Sequence, residues 1–134
     1  MKYIIAFFFL FVTVQTQAQT TNGQLSTHIL DIGKGMPATG VTVELEKMNE
    51  KNKTWTLIDT QLTDSNGRIP NFLNKKKGNE GIYKLVFKVA NYFKSNHTET
   101  FYPFIVVVFQ IKGTNHFHVP ITLSPFGYST YRGS

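Results

Sequence analysis

His116 and His118 lie one residue apart in a run that alternates polar and apolar side chains from His116 to Leu123. In an extended strand, alternate side chains share a face, so both imidazoles point the same way while Phe117, Val119 and Ile121 point the other. Imidazole is the side chain whose ordinary protonation equilibrium lies near neutral pH, which suits general acid–base work on a water molecule. The same spacing also suits zinc, with His28 as a third ligand. Against zinc, no Asp or Glu lies near the pair in sequence to complete a ligand set or to orient the rings. His28 sits within Leu25-Ser26-Thr27-His28-Ile29-Leu30-Asp31, sharing a face with Leu30. A single strand histidine is more often structural than reactive. His97, flanked by Asn96 and Thr98, reads as a surface residue.

Arg68 is the next candidate. It follows Asp64-Ser65-Asn66-Gly67, a tight turn in which the Asn-Gly pair supplies positive-φ geometry. A guanidinium delivered by such a turn presents a planar fork of donors to an anionic or carbonyl-rich ligand. Tyr131 and Arg132 are placed likewise at the end of the last alternating run, next to Gly133 and the terminal Ser134. The sequence has no Gly-rich phosphate loop, no Gly-x-Ser-x-Gly elbow and no paired-acid motif. It contains no cysteine, so thiol catalysis and cysteine metal sites are excluded. Hydrolysis by imidazole general acid–base catalysis is the simplest chemistry these residues support.

Several short β-branched and aromatic runs must carry these groups. Strands are predicted over Leu25–Asp31, Val41–Lys47, Trp55–Leu62, a short stretch from Arg68, Gly81–Val89, Phe104–Ile111, His116–Leu123 and Tyr128–Arg132. Turn signals about every ten residues separate them, the pattern of an all-β sandwich. Gly33–Pro37 reads as a loop, and Ala90–His97 as the one short, poorly capped helix. Phe104–Ile111 is apolar on nearly both faces, with Gln110 its one polar residue. A strand of that kind is covered on both sides, which in so small a domain predicts a second subunit.

The N-terminus reads differently from the rest. Lys2, the apolar run Ile4–Val14 and the small residues ending at Ala18 form a secretory signal pattern, too short for a comfortable membrane span. Residues 1–18 are therefore expected to be a signal peptide and 19–134 one domain, secreted, into a periplasm if the source is Gram-negative. Once the signal is removed, no membrane association is expected. The formal charge of +6 arises from scattered lysines. It suits solubility and the attraction of an anionic small molecule more than nucleic-acid binding.

The stretches Leu25–Asp31, Asp64–Arg68, His118-Val119-Pro120, Ser124-Pro125 and Tyr131-Arg132-Gly133-Ser134 together resemble the 5-hydroxyisourate hydrolases, the enzyme branch of the transthyretin family. Trp55, Tyr83 and Phe101-Tyr102-Pro103 are similar too, so the resemblance runs through almost all of Gln24–Ser134. The family's usual Asp-Gly-Arg appears here as Asn66-Gly67-Arg68. The hormone-carrier branch does not keep His28, His118-Val119-Pro120 or the terminal tetrapeptide. The resemblance implies a transthyretin-like β-sandwich assembled as a homotetramer, a dimer of dimers, with sites in a channel between dimers. It implies hydrolysis of 5-hydroxyisourate, the unstable product of urate oxidation, to 2-oxo-4-hydroxy-4-carboxy-5-ureidoimidazoline without metal or cofactor. It assigns His28, Arg68 and His118 to catalysis, with His28, Arg68, Tyr131 and Ser134 contacting substrate. A non-catalytic transthyretin-like binding module is the alternative, and it gives no reason for His28, Arg68 and His118 to match together.

Overall fold

The computed structural model describes residues 23–133. They form two stacked sheets and one short helix. In the first sheet, β1 (Gly23–Asp31) is the spine. One of its edges pairs antiparallel with β5 (Arg68–Asn74) and, beyond that, with the two-residue β2 (Met36–Pro37). Its other edge pairs in parallel with β8 (Phe117–Ser124), which a tight turn joins to β9 (Gly127–Thr130). The second sheet is antiparallel in the order β4 (Thr54–Leu62), β3 (Thr42–Asn49), β6 (Gly81–Phe87), β7 (Ile105–Ile111).

Period-two alternation decides which side chains meet between the layers. Leu25, Ile29, Ile121 and Leu123 come from the first sheet, and Val43, Leu45, Leu85, Phe87 and Ile105 from the second; all are buried. Burial of each large apolar side chain contributes about 1.5–3 kcal/mol. Gln24 and Asn79 are buried as well, but each is satisfied: Asn79 donates to the Gln24 side chain at 2.7 Å, and Gln24 donates to the Gly113 carbonyl at 2.9 Å.

The predicted elements and the observed ones differ mainly at their ends. The helix α1 runs Val89–Ser95, and its Lys88 N-cap makes no side-chain capping bond. It stops before His97, which has φ 53° and is exposed. The Gly33–Pro37 stretch contains β2, because Met36 and Pro37 pair with Asp31 and Leu30. The final strand stops at Thr130, so Tyr131 and Arg132 lie just past it. On β7, Ile105, Val107 and Ile111 enter the core, while Val106 and Val108 on the opposite face, and Phe104 just before the strand, are 39%, 56% and 50% exposed. The expected second cover of that face is thus not supplied by the chain's own described residues. No helix among those residues is long and apolar enough to cross a membrane. The proposed signal segment, residues 1–18, lies outside the described residues, as does Ser134.

Candidate active site

Three strands set the site by register. His28 on β1 stands directly across from Arg68, the first residue of β5. On the other edge of β1, Ser26 is level with His118 and His28 with Pro120 of β8. Thr27 and Ile29 point into the core, so Ser26 and His28 project from the outer face of the first sheet. Directly opposed antiparallel residues have Cβ atoms about 4.5–5.5 Å apart, which makes His28 and Arg68 neighbours on that face. The sheet therefore gathers His28, Arg68, Ser26, His116 and His118 on one patch from three stretches far apart in sequence.

The turn that delivers Arg68 is built from its own backbone and one carboxylate. The Asp64 carboxylate accepts from the backbone N–H of Asn66 at 2.8 Å and of Arg68 at 2.9 Å. The Gly67 N–H donates to the Asp64 carbonyl, and the Arg68 carbonyl accepts from the Asp64 N–H. Gly67 has φ 68°, and a Cβ there would lie 2.6 Å from the Ile29 carbonyl oxygen. Only glycine satisfies both the conformation and the close approach. The Gly67 carbonyl in turn accepts from Ile29 N–H at 2.9 Å, which fastens the turn to β1 beside His28.

The far side of the patch is set by the C-terminal segment. A bridge between His118 and Gly133 continues the β8–β9 register, with Gly133 N–H donating to the His118 carbonyl at 2.9 Å. Gly133 lies so close over His118 that an added Cβ would collide with the imidazole Cδ2. Counting from Ile121↔Thr130 to this bridge puts Tyr131 across from Pro120, on the His28 side. Tyr131 is 60% exposed. Arg132 falls on the alternate side, its guanidinium 5.3 Å from the Phe117 ring centroid. Tyr131 and Arg132, equivalent candidates in the sequence, are therefore separated by the pleat.

Electrostatics on the patch favour neutral imidazoles. Burial lowers the pKa of His28 and Arg68 lowers it further, while a hydrogen bond with the Asn66 backbone and the Asp64 charge pull the other way. Burial also lowers the pKa of His118, followed by Arg68, His116 and His28, against a hydrogen bond with the Ser26 backbone. Both rings are thus held below the ordinary histidine value, poised to accept a proton near neutral pH. Among the described residues no group of three or more His, Asp or Glu side chains converges in a metal-binding arrangement.

The HIUase/Transthyretin family model matches residues 25–133. The chain belongs to the HIUase/transthyretin family. It is 48% identical over 114 residues to a 5-hydroxyisourate hydrolase of Salmonella dublin, covering 84% of this chain and 82% of that protein. The structure is similar to that of Klebsiella pneumoniae 5-hydroxyisourate hydrolase, with TM-score 0.69 and 34% identity over 84% of this chain and 94% of that one. It is also similar to sea bream transthyretin in complex with thyroxine, with TM-score 0.77 and 30% identity over 82% of this chain and 94% of that one.

The all-β sandwich with one short helix is thus the HIUase/transthyretin fold. Within this family member, the structure brings His28, Arg68, His118 and Tyr131 to one face, leaves His97 apart, and does not describe Ser134. Ser26 was not singled out from sequence. It is 8% exposed, and its hydroxyl is 2.9 Å from His116 Nε2 and 2.8 Å from His118 Nδ1. The available signal was its position two residues before His28, on the same strand face. A depression of about 340 Å³ lies elsewhere, between β2 and α1, where Lys34, Met36, Tyr92 and Asn96 line it. It contains none of the histidines, and its shape carries no chemistry of the kind the histidine patch does.

Proposed function

We propose that this protein is a 5-hydroxyisourate hydrolase of urate breakdown, and that His28, Arg68 and His118 carry the reaction. The assignment of hydrolase activity is supported by the relatives and by the solved hydrolase structure. The observation that carries the site assignment is the meeting of two pKa-lowered imidazoles and one guanidinium on a single sheet face.

The chemistry follows from that arrangement. A neutral imidazole takes a proton from water as the water oxygen bonds to a ring carbonyl carbon. Negative charge then develops on the carbonyl oxygen, and the Arg68 guanidinium stabilises it as a fixed cationic donor. The carbon–nitrogen bond of the six-membered ring breaks, and the imidazolium returns its proton to the leaving nitrogen. The product is the ring-opened 2-oxo-4-hydroxy-4-carboxy-5-ureidoimidazoline. Tyr131 and Ser134 are the substrate contacts that the family resemblance implies. No metal or cofactor takes part.

The working assembly is a homotetramer, a dimer of dimers. The exposed Val106 and Val108 of β7, with Phe104 just before it, support burial against a second copy. The mature enzyme is exported after loss of residues 1–18, into a periplasm if the host is Gram-negative. The deciding assay generates 5-hydroxyisourate from urate with urate oxidase and follows its decay by ultraviolet absorbance. Accelerated decay that is insensitive to chelator is expected. Decay at the uncatalysed rate would overturn the reading, and light scattering on the same sample tests the tetramer.

A further inference from the structure

The hydrogen bonds behind His118 run in one direction. His116 Nδ1 lies 2.9 Å from the Gly23 carbonyl oxygen. A carbonyl only accepts, so Nδ1 of His116 carries a proton. In the tautomer whose one ring proton is on Nδ1, Nε2 is an acceptor, and the Ser26 hydroxyl 2.9 Å away donates to it. Ser26 has a single hydroxyl proton, and that proton is now committed. Its remaining contact, 2.8 Å to His118 Nδ1, can form only if Nδ1 donates. A neutral His118 with a proton on Nδ1 has none on Nε2.

From this chain we infer that Ser26 and His116 are positioning residues, holding His118 in the tautomer whose Nε2 is the free proton acceptor of the site. The inference rests on the hydrolase reading above and deepens it, because it selects the acceptor atom. The identity of each ring nitrogen in a histidine base is fixed by what the other nitrogen bonds to. Here the fixing group is a serine that is itself fixed by a second histidine. The chain ends on a backbone carbonyl of β1, which cannot pass a proton onward. It therefore serves as a lock on orientation and tautomer and not as a wire to solvent.

Two further contacts keep the lock in place. Ser26 is level with His118 across the parallel β1–β8 pairing, so strand register sets the hydroxyl opposite Nδ1. Gly133 lies beside the other edge of the ring, close enough that an added Cβ would collide with Cδ2. The i, i+2 histidine pair thus has unequal members: among the described residues His118 Nε2 has no hydrogen-bond partner, while both nitrogens of His116 are engaged.

The test is nitrogen-15 spectroscopy of the histidine rings at pH 8, combined with steady-state kinetics, on the full mature chain. In the unaltered protein His118 should show a protonated Nδ1 and an unprotonated Nε2. Ser26→Ala should bring in the Nε2–H form and lower kcat about tenfold or more, with KM changed less than twofold. That loss stays below the hundredfold or more expected for removing the base itself. His116→Ala, at an exposed side chain, frees the serine proton to point either way. It should give a mixture of tautomers and a smaller loss, and it keeps the test open if Ser26→Ala does not fold. An Nε2–H ring in the unaltered protein would overturn the inference. So would a loss of kcat in both variants with the His118 tautomer unchanged. The tautomer is read on resting protein without substrate. A fully active His118→Ala would instead strike at the hydrolase site assignment, so the two failures are distinguishable.

Discussion

The outer faces of the two sheets both carry basic side chains and use them in opposite ways. On the second sheet, Lys84 pairs with Glu46 at 3.0 Å and Lys88 with Glu44 at 2.9 Å, each across the β3–β6 ladder or its end. Lys84 also lies 4.7 Å from the Trp55 ring centroid. On the first sheet, Arg68, His28, His116 and His118 gather with no ion pair to a described Asp or Glu. The nearby Asp64 carboxylate is engaged by the backbone N–H groups of its own turn. One face is neutralised within the chain and is structural. The other is left with donors and free imidazole nitrogen, which suits a substrate that brings carbonyl oxygens and develops negative charge.

The contrast breaks most sharply under deletion of the unpaired groups. His28→Ala, Arg68→Ala and His118→Ala should each lower turnover of 5-hydroxyisourate at least about a hundredfold, equivalent to about 2.7 kcal/mol of transition-state stabilisation. Thermal unfolding should show that the fold persists. His97→Ala, away from the patch, should retain the activity of the unaltered protein; an inactive His97→Ala beside an active His118→Ala would reverse the assignment.

Gly133→Ala should follow in size. The added Cβ must push the His118 ring or shift the C-terminal bridge. Misplacement of a catalytic group by even about 1 Å can cost a hundredfold. The expected result is a loss of about tenfold to a hundredfold in kcat with little change in circular dichroism.

A third test sharpens the electrostatic side of the comparison. Arg68 lowers the pKa of both His28 and His118, in each case second to burial. Arg68→Gln should therefore raise both, read by NMR titration of the ring protons, with Asp64, His116 and the opposite imidazole still in place. The sign for stability follows from the same shifts. Each ring binds protons less readily folded than unfolded, so its contribution is complete above the ordinary histidine pKa and is lost as pH falls through that value toward the lowered one. Removal of Arg68 should shrink that acid loss. An unchanged or lowered pKa for His118 would show that the guanidinium does not act on it.

The smallest effect belongs to the paired face. Lys84→Ala removes an ion pair and a ring contact that remain partly open to water. A loss of about 0.5–1 kcal/mol in stability is expected, with unchanged turnover. A large loss of activity here would end the division between a structural face and a chemical one.

Much of this was legible in the residues. Alternation in Val41–Lys47 and Gly81–Val89 predicts which side chains enter the core, because the period of a strand is fixed by backbone geometry. The turn at Asp64–Gly67 and the shared face of His116 and His118 are equally local properties, and the structure places both as read. The Asn-Gly pair needs positive φ at Gly67 alone. Element ends were less legible: the last strand stops at Thr130 because pairing partners, not local pattern, decide where a ladder closes, and α1 stops at Ser95, two residues before His97 takes a positive φ.

The sequence by itself determined the residue types, their strand faces and the turn that precedes Arg68, since each depends on neighbours a few positions away. Only the tertiary structure decided that His28 stands opposite Arg68 and that a buried serine joins His116 to His118. Those are facts of register between strands separated by tens of residues. A shift of one residue in any of those pairings would turn the same side chains to the other face, and nothing local in the sequence sets that choice.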